Sequence, residues 1–330
     1  MKFLSRTFIV LASLVGTACT PLVNRPGQAV QAPYLGWSHF TAADGAVLPV
    51  RSWIPQGMPI KAVLVALHGF NDYSFFFTAP GEYLSQKGFA CYAYDQRGFG
   101  NAPGRGLWAG MDAYADDLKT ITSLLRLRYP GVPLYVLGES MGGAIAIVTM
   151  TSVNPPEVDG LILSAPAVWG RSTMPWYQRA LLETMAHAAP WLRLTGSGLK
   201  IMASDNIDML RKLGRDPLFI KATRVDAMYG LTNLMDAALD SAGQLKIPTL
   251  VLYGEHDQLI PREPVSQMLK KMPGPPQTRV AYYANGYHML LRDLQAAQPL
   301  GDIAAWIENP EAPLPSDSDR HVALGLAQTR

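Results

Sequence analysis

The chain has 330 residues, of which 48% are apolar and 16% charged, and its net charge at neutral pH is +2. That apolar share over that length can bury a sizeable core, as one large domain or one domain with an insertion, and it excludes disorder for most of the chain. The near-neutral balance argues against nucleic acid as the main partner, and two cysteines, Cys19 and Cys91, are too few for a disulfide framework or a thiolate metal site.

Lys2 and Arg6 precede the apolar run Phe8–Val15, and the small residues Gly16, Thr17 and Ala18 follow. A charged head, an apolar stretch too short to span a bilayer and a small-residue exit predict a signal peptide over residues 1–18. The run ending at Cys19 resembles a bacterial lipobox, whose cysteine becomes the lipid-modified first residue of the mature chain; Gly16 departs from it, standing where leucine is usual. The resemblance implies a membrane partner through an N-terminal lipid anchor. Because Thr20 is not Asp, it also implies the outer membrane of the bacterial envelope. Plain cleavage after Ala18, giving a secreted or periplasmic protein, and an uncleaved anchor are the alternatives. No other stretch approaches 18 unbroken apolar residues, so the body is expected to be soluble. Residues 19–33, rich in Pro, Asn, Gly and Gln, read as a tether.

Apolar, β-branched runs then recur at Val47–Ile54, Ala62–Leu67, Phe89–Tyr94, Leu134–Leu137, Leu161–Ser164, Thr249–Tyr253 and Arg279–Tyr283. Several are apolar on both faces, as parallel strands covered by helices on each side must be. Helical patterns separate them. Tyr114, Leu118, Ile121 and Leu125 form one face over Asp112–Arg128, and Pro130-Gly131 is the stop; Met141–Met150, Pro261–Lys271 and Asp293–Glu308 supply others. The alternation predicts an α/β domain with a parallel sheet. Residues 34–168 and 245–308 form its two parts. Between them, residues 169–244 carry helical patterns without a convincing strand and read as a cap. Residues 309–330, rich in Pro, Ser and Asp, read as a loosely ordered tail. There is no internal repeat.

The segment Leu134–Ile145 has the form strand, Gly-x-Ser-x-Gly, helix. A serine lifted above a sheet on a tight strand-to-helix turn has strained backbone angles, and its neighbours two residues away must lack bulk; Gly138 and Gly142 meet that need. The helix that follows aims its free N–H groups at a developing oxyanion. Ser140 is therefore the candidate nucleophile.

Further ordered motifs are His68-Gly69-Phe70, Tyr94–Gly100 (Tyr-Asp-Gln-Arg-Gly-Phe-Gly), Gly254-Glu255-His256-Asp257 and Gly286-Tyr287-His288. Together with the serine turn they resemble the α/β-hydrolases of the serine aminopeptidase S33 and monoacylglycerol lipase–lysophospholipase group, over roughly residues 36–308. The resemblance implies a mostly parallel eight-stranded sheet with helices on both faces and a helical cap inserted after the sixth strand.

In that fold the order is Ser, then Asp or Glu, then His. Of six histidines, His39 and His68 precede the serine, His187 lies in the cap, His321 in the tail, and His256 adjoins the best acid. His288, in a Gly-containing loop after a strand, is the candidate base. Asp257, directly after the strand Thr249–Tyr253, is the candidate acid, with Glu255 read as an exposed loop carboxylate. The oxyanion donors should be the N–H groups of Met141 and of Phe70, which follows the strand ending at Leu67. His68 reads as a structural imidazole bracing that loop, and Asp95–Gly98 as a turn braced by an ion pair. Asp72 and Tyr73 could touch substrate or only fix the turn, and Asp116 and Asp117 read as a solvated helix face.

These assignments give a Ser140-His288-Asp257 acyl-enzyme mechanism that calls for no metal and no organic cofactor. The cap carries Trp169, Met174, Trp176, Tyr177, Leu181, Leu182, Met185, Trp191 and Met228. Most are expected to form the cap's own core, and the remainder an adaptable wall for an acyl chain. The expected activity is a carboxylester hydrolase acting on single-chain lipid esters. A general short-chain esterase is one alternative. Another is an aminopeptidase, which would need a cap carboxylate such as Glu183 or Asp226. A non-catalytic binding protein on a hydrolase fold is the alternative from a different class, disfavoured by the intact Ser, Asp and His; an Asp-nucleophile dehalogenase is disfavoured by Ser140.

Overall fold

The structure, a computed structural model, describes residues 20–196, 198 and 201–320. The expected signal peptide over residues 1–18 and lipidation at Cys19 fall outside the described residues. The sheet is built from β1 (Tyr34–Leu35), β2 (His39–Thr41), β3 (Val47–Trp53), β4 (Ala62–Leu67), β5 (Phe89–Tyr94), β6 (Leu134–Glu139), β7 (Gly160–Ser164), β10 (Thr249–Gly254) and β11 (Thr278–Tyr283), in the spatial order β1-β2-β3-β5-β4-β6-β7-β10-β11. Its first three pairings are antiparallel and all those from β5 to β11 are parallel. It has one strand more than expected, because Tyr34 and Leu35 pair with Thr41 and Phe40 at the antiparallel edge.

Every residue of β4, β5 and β6 is buried. The two-residue period of a strand divides them between two cores. Val63, Val65 and Leu67 enter one core with α2 (Met111–Arg128), α3 (Met141–Met150) and α7 (Arg262–Lys271). Leu64 and Ala66 enter the other with α1 (Thr78–Ser85) and α8 (Ala297–Glu308). Burial on both faces is why these strands carry unbroken apolar runs.

The cap holds α4 (Trp176–Ala188), α5 (Ile207–Arg215) and α6 (Val225–Ser241), the last packed on α3 through Leu234, Met235 and Ala238. It also contains two short strands that the sequence did not disclose: β8 (Arg193–Thr195) pairs antiparallel with β9 (Ala222–Arg224). Three-residue strands are too short to set up a two-residue alternation. Another departure concerns the expected cap core. Trp176, Tyr177, Leu181 and Trp191 are 57–73% exposed, and α4 buries only Ala186.

The described parts of the expected tether and tail are better held than composition suggests. The Asn24 N–H donates to the Trp108 carbonyl at 2.7 Å and the Val30 N–H to that of Ala43 at 2.8 Å, so much of the tether lies along the domain. In the tail, Leu314 enters the second core, and Ser316 donates through its N–H and its hydroxyl to the buried Asp302. A single apolar side chain and one buried carboxylate that needs donors are enough to seat a Pro/Ser-rich segment.

Candidate active site

Ser140 follows β6 and immediately precedes α3, at the carboxyl edge of the sheet. Its φ of +52° lies in the left-handed region that costs a non-glycine residue strain. The surrounding turn has no room to relax. A Cβ at Gly138 would stand 2.4 Å from the Gly142 carbonyl oxygen, and one at Gly142 would stand 2.3 Å from that of Leu67. The strained residue is fixed on both sides, its N–H donating to the Ser164 carbonyl at 3.0 Å and its own carbonyl accepting from Ala167 at 2.9 Å.

The loop after β4 passes beside it, and a Cβ at Gly69 would be 3.3 Å from that of Ser140. His68 braces this loop from inside. Its Nε2 accepts the Gln96 N–H at 3.0 Å, which makes Nδ1 the protonated nitrogen, donating to the Gly69 carbonyl at 2.8 Å. Burial pushes the His68 pKa down, so the ring stays neutral, as a structural imidazole should. The Phe70 ring packs edge-on against Phe99 and Trp108. Among the described residues, no turn or loop hydrogen bond uses the N–H of Phe70 or of Met141.

Asp257 and His288 follow β10 and β11. Asp257 Oδ1 accepts the N–H groups of Leu259 and Ile260 at 2.8 and 2.9 Å, which turns Oδ2 toward His288 Nδ1 at 2.8 Å. The two loops touch backbone to backbone: the His256 N–H donates to the Gly286 carbonyl at 2.9 Å, and a Cβ at Gly254 would stand 2.4 Å from the Gly286 carbonyl carbon. Burial opposes the His288 imidazolium, but the charge and hydrogen bond of Asp257 outweigh it and the pKa is raised. With Nδ1 donating to the carboxylate, Nε2 carries the lone pair of the neutral ring. Glu255 and His256 are exposed.

One polar group at this edge carried no sequence signal. Arg292, in the short helical turn Leu290–Arg292, lies 2.8 Å from both Asp72 and Glu139. Only its place four residues beyond His288 could have drawn notice. Asp72 and Tyr73 both fix their loop, Tyr73 by donating to Asp216 at 2.7 Å. Asp95 accepts the N–H groups of Ser74 and Asn101, while Arg97 makes the expected bracing ion pair, with Asp44 and with Asp117. Asp117 is therefore buried and paired rather than solvated; the 3.6-residue period of α2 turns it inward beside Tyr114 and Leu118. In the cap, Glu183 is exposed beside His187, and Asp226 is buried in a fork with Arg224.

A family model described as serine aminopeptidase, S33, matches residues 58–295. The chain is similar to the monoglyceride lipase of Rattus norvegicus, 27% identical over 299 residues that cover 88% of this chain and 96% of that protein. It is 25% identical over 280 residues to the monoacylglycerol lipase of Mycolicibacterium smegmatis, covering 81% and 95%. Among solved structures, a soluble variant of the monoglyceride lipase of Saccharomyces cerevisiae, in complex with a substrate analog, superimposes with a TM-score of 0.70 at 19% identity, covering 89% of this chain and 100% of that one. The monoacylglycerol lipase of Paleococcus ferrophilus gives 0.67 at 22%, covering 80% and 99%.

Proposed function

This chain belongs to the serine aminopeptidase S33 family, and on that premise we propose that it is a serine carboxylester hydrolase acting on single-chain lipid esters such as monoacylglycerols and lysophospholipids. Ser140 attacks the acyl carbonyl while His288 Nε2 takes its proton. Asp257 holds the imidazole in that tautomer and stabilises the imidazolium. The N–H groups of Phe70 and Met141 bind the tetrahedral oxyanion, aided by the positive end of α3. His288 returns the proton to the leaving alcohol, then activates a water that releases the acyl group from Ser140. The observation that carries this reading is the buried 2.8 Å contact between Asp257 and His288, at the sheet edge where Ser140 sits on its strained turn.

Ester rather than peptide chemistry is favoured by the cap acids. An aminopeptidase needs a carboxylate free to hold an α-ammonium, whereas Asp226 is committed to Arg224 and Glu183 lies beside His187 and Tyr229. The exposed Trp176, Tyr177, Leu181 and Trp191 suit a lipid-presented substrate. An anchor at Cys19 at the bacterial envelope would serve the same end, and labelled palmitate incorporation that depends on Cys19 tests it.

The decisive experiment is fluorophosphonate labelling together with a panel of p-nitrophenyl esters from short to long chains, monoolein, lysophosphatidylcholine and amino-acid anilides. Labelling at Ser140 and preference for the long-chain esters are expected. Preference for anilides would replace the lipid assignment, and folded protein that does not label would favour a receptor.

A further inference from the structure

One stretch of the cap is fastened at both ends to the loops that carry the proposed catalytic groups. At its first end, residues 202–206 run alongside residues 287–294. The Met202 N–H donates to the side chain of Gln258, next to Asp257, at 2.9 Å, and the N–H of Met289, next to His288, donates to the Ala203 carbonyl at 2.9 Å. Ser204 is fully buried and donates to Asp293 Oδ1 at 2.6 Å, while Asp293 Oδ2 accepts the Tyr287 N–H at 2.8 Å. Burial raises the Asp293 pKa to about 6, and the Ser204 and Tyr287 hydrogen bonds work against that rise. Asn206 Nδ2 donates to the Arg292 carbonyl at 3.0 Å, and Asp205 accepts the Leu294 N–H at 2.8 Å.

At the far end, residues 216–223 hold the loop that follows Phe70. Tyr73 donates to Asp216 at 2.7 Å, the Ile220 N–H donates to the Asn71 carbonyl at 3.0 Å, and Asn71 Nδ2 donates to the Thr223 hydroxyl at 2.7 Å. Between the ends lies α5, whose rise of about 1.5 Å per residue makes it a short stiff rod. Asn206 caps it by accepting the Met209 N–H at 3.1 Å. No residue of α5 is buried, though Met209, Leu210 and Leu213 are half-buried, and the polar contacts at its two ends, with the buried Ile220 beyond it, fasten it to the body.

We infer that residues 202–223 form a strap that positions both halves of the catalytic machinery: Ser204, through Asp293, sets the His288 loop, Asp216, through Tyr73, sets the Phe70 loop, and α5 couples the two. The inference rests on the hydrolase reading, since it concerns what holds those groups in register. Anchors that merely glue the cap to the body would lower the melting temperature and leave kcat of the folded protein unchanged. Positioning elements act on kcat, because reacting groups displaced by about 1 Å lose up to two orders of magnitude in rate.

The test is a double-mutant cycle of Ser204→Ala and Tyr73→Phe, with kcat and KM measured on a p-nitrophenyl ester. Each single variant is expected to lower kcat roughly tenfold while KM stays within about twofold. The double variant is expected to lose little more than the worse single one, because a rod freed at one end no longer transmits force to the other. Losses that multiply, or single variants that keep kcat within twofold of the parent, overturn the strap. If Ser204→Ala does not fold, Asn206→Ser replaces it with the same expected outcomes; it keeps a helix cap and gives up the contact with Arg292. Wild-type turnover and labelling are measured first. Absence of both overturns the hydrolase reading and the strap with it, whereas normal wild-type turnover with unaffected variants overturns the strap alone.

Discussion

The guanidinium of Arg292 lies 2.8 Å from the carboxylate of Glu139, the residue immediately before Ser140, in the protein interior. A second contact of 2.8 Å reaches Asp72, so one cation joins the His288 loop, the serine turn and the loop that follows Phe70. Burial raises the Glu139 pKa and Arg292 works against that rise. Removing the cation leaves two carboxylates buried together, and Arg292→Leu should cost about 3–5 kcal/mol, read by urea unfolding. The sign with pH follows from Glu139. Without Arg292 its folded pKa climbs further above the unfolded value, so stability is retained where the group is protonated and lost as pH rises through the folded value. The deficit against wild type should be smaller near pH 5 than near pH 8. A deficit independent of pH would mean that the pairing is not electrostatic.

On the proposed mechanism, the raised pKa of His288 should set the acid limb of the pH–rate profile. Below its folded value the imidazolium cannot take the Ser140 proton, so kcat/KM should fall with a midpoint above the ordinary imidazole value of about 6.5. The shift also means that the stability from this pairing is fully present below the unfolded value and fades as pH rises through the folded one. Asp257→Asn removes the main cause of the rise and leaves burial opposed by the charge of Glu139 alone. The limb should move to lower pH while kcat drops by about four orders of magnitude, because an amide no longer fixes the tautomer or supports the imidazolium. A profile that stays in place would show that another group titrates there.

Gly142 sets helix propensity against sterics. It lies in the first turn of α3, where alanine would ordinarily gain about 1 kcal/mol. Its Cβ would, however, meet the Leu67 carbonyl oxygen at 2.3 Å, a contact with backbone that no rotamer change relieves. Gly142→Ala should therefore be destabilising by about 1–3 kcal/mol, visible as a lowered melting temperature, and should weaken fluorophosphonate labelling by displacing Ser140. A stabilised variant would mean that the turn is less crowded than described.

The legible parts of this molecule were those with a local pattern. β4, β5 and β6 announce themselves because burial on both faces demands apolar runs, and Ser140 because its turn excludes a side chain at Gly138 and Gly142. That Asp257 and His288 meet could be read from chain order and from the strands they follow. Arg292, Ser204 and Asp216 gave no signal, since each is a single polar residue whose partner is distant in sequence and belongs to another loop. Asp117 was misread because an acid beside another acid on a helix normally faces water, and its partner Arg97 is 20 residues away. Trp176 and Tyr177 were misread because large aromatic side chains normally bury themselves, whereas α4 turns them outward.

Composition misled most at the tail, where a point prediction separates the two descriptions. Leu314 is 2% exposed in the core beneath the sheet, and Leu314→Ala should cost about 2–5 kcal/mol if that packing holds. Ser316→Ala would strip the hydroxyl donor from Asp302, which is fully buried and would keep only the Tyr283 hydroxyl at 2.7 Å and the residue 316 N–H; about 1–3 kcal/mol should be lost. Both contacts bear on the site, because Tyr283 ends β11, the strand that delivers His288, and the Tyr282 N–H donates to the Ser318 carbonyl at 3.0 Å. A loose tail would make both substitutions silent in urea unfolding. A seated one makes them costly, and couples residues 314–318 to the strand that precedes His288.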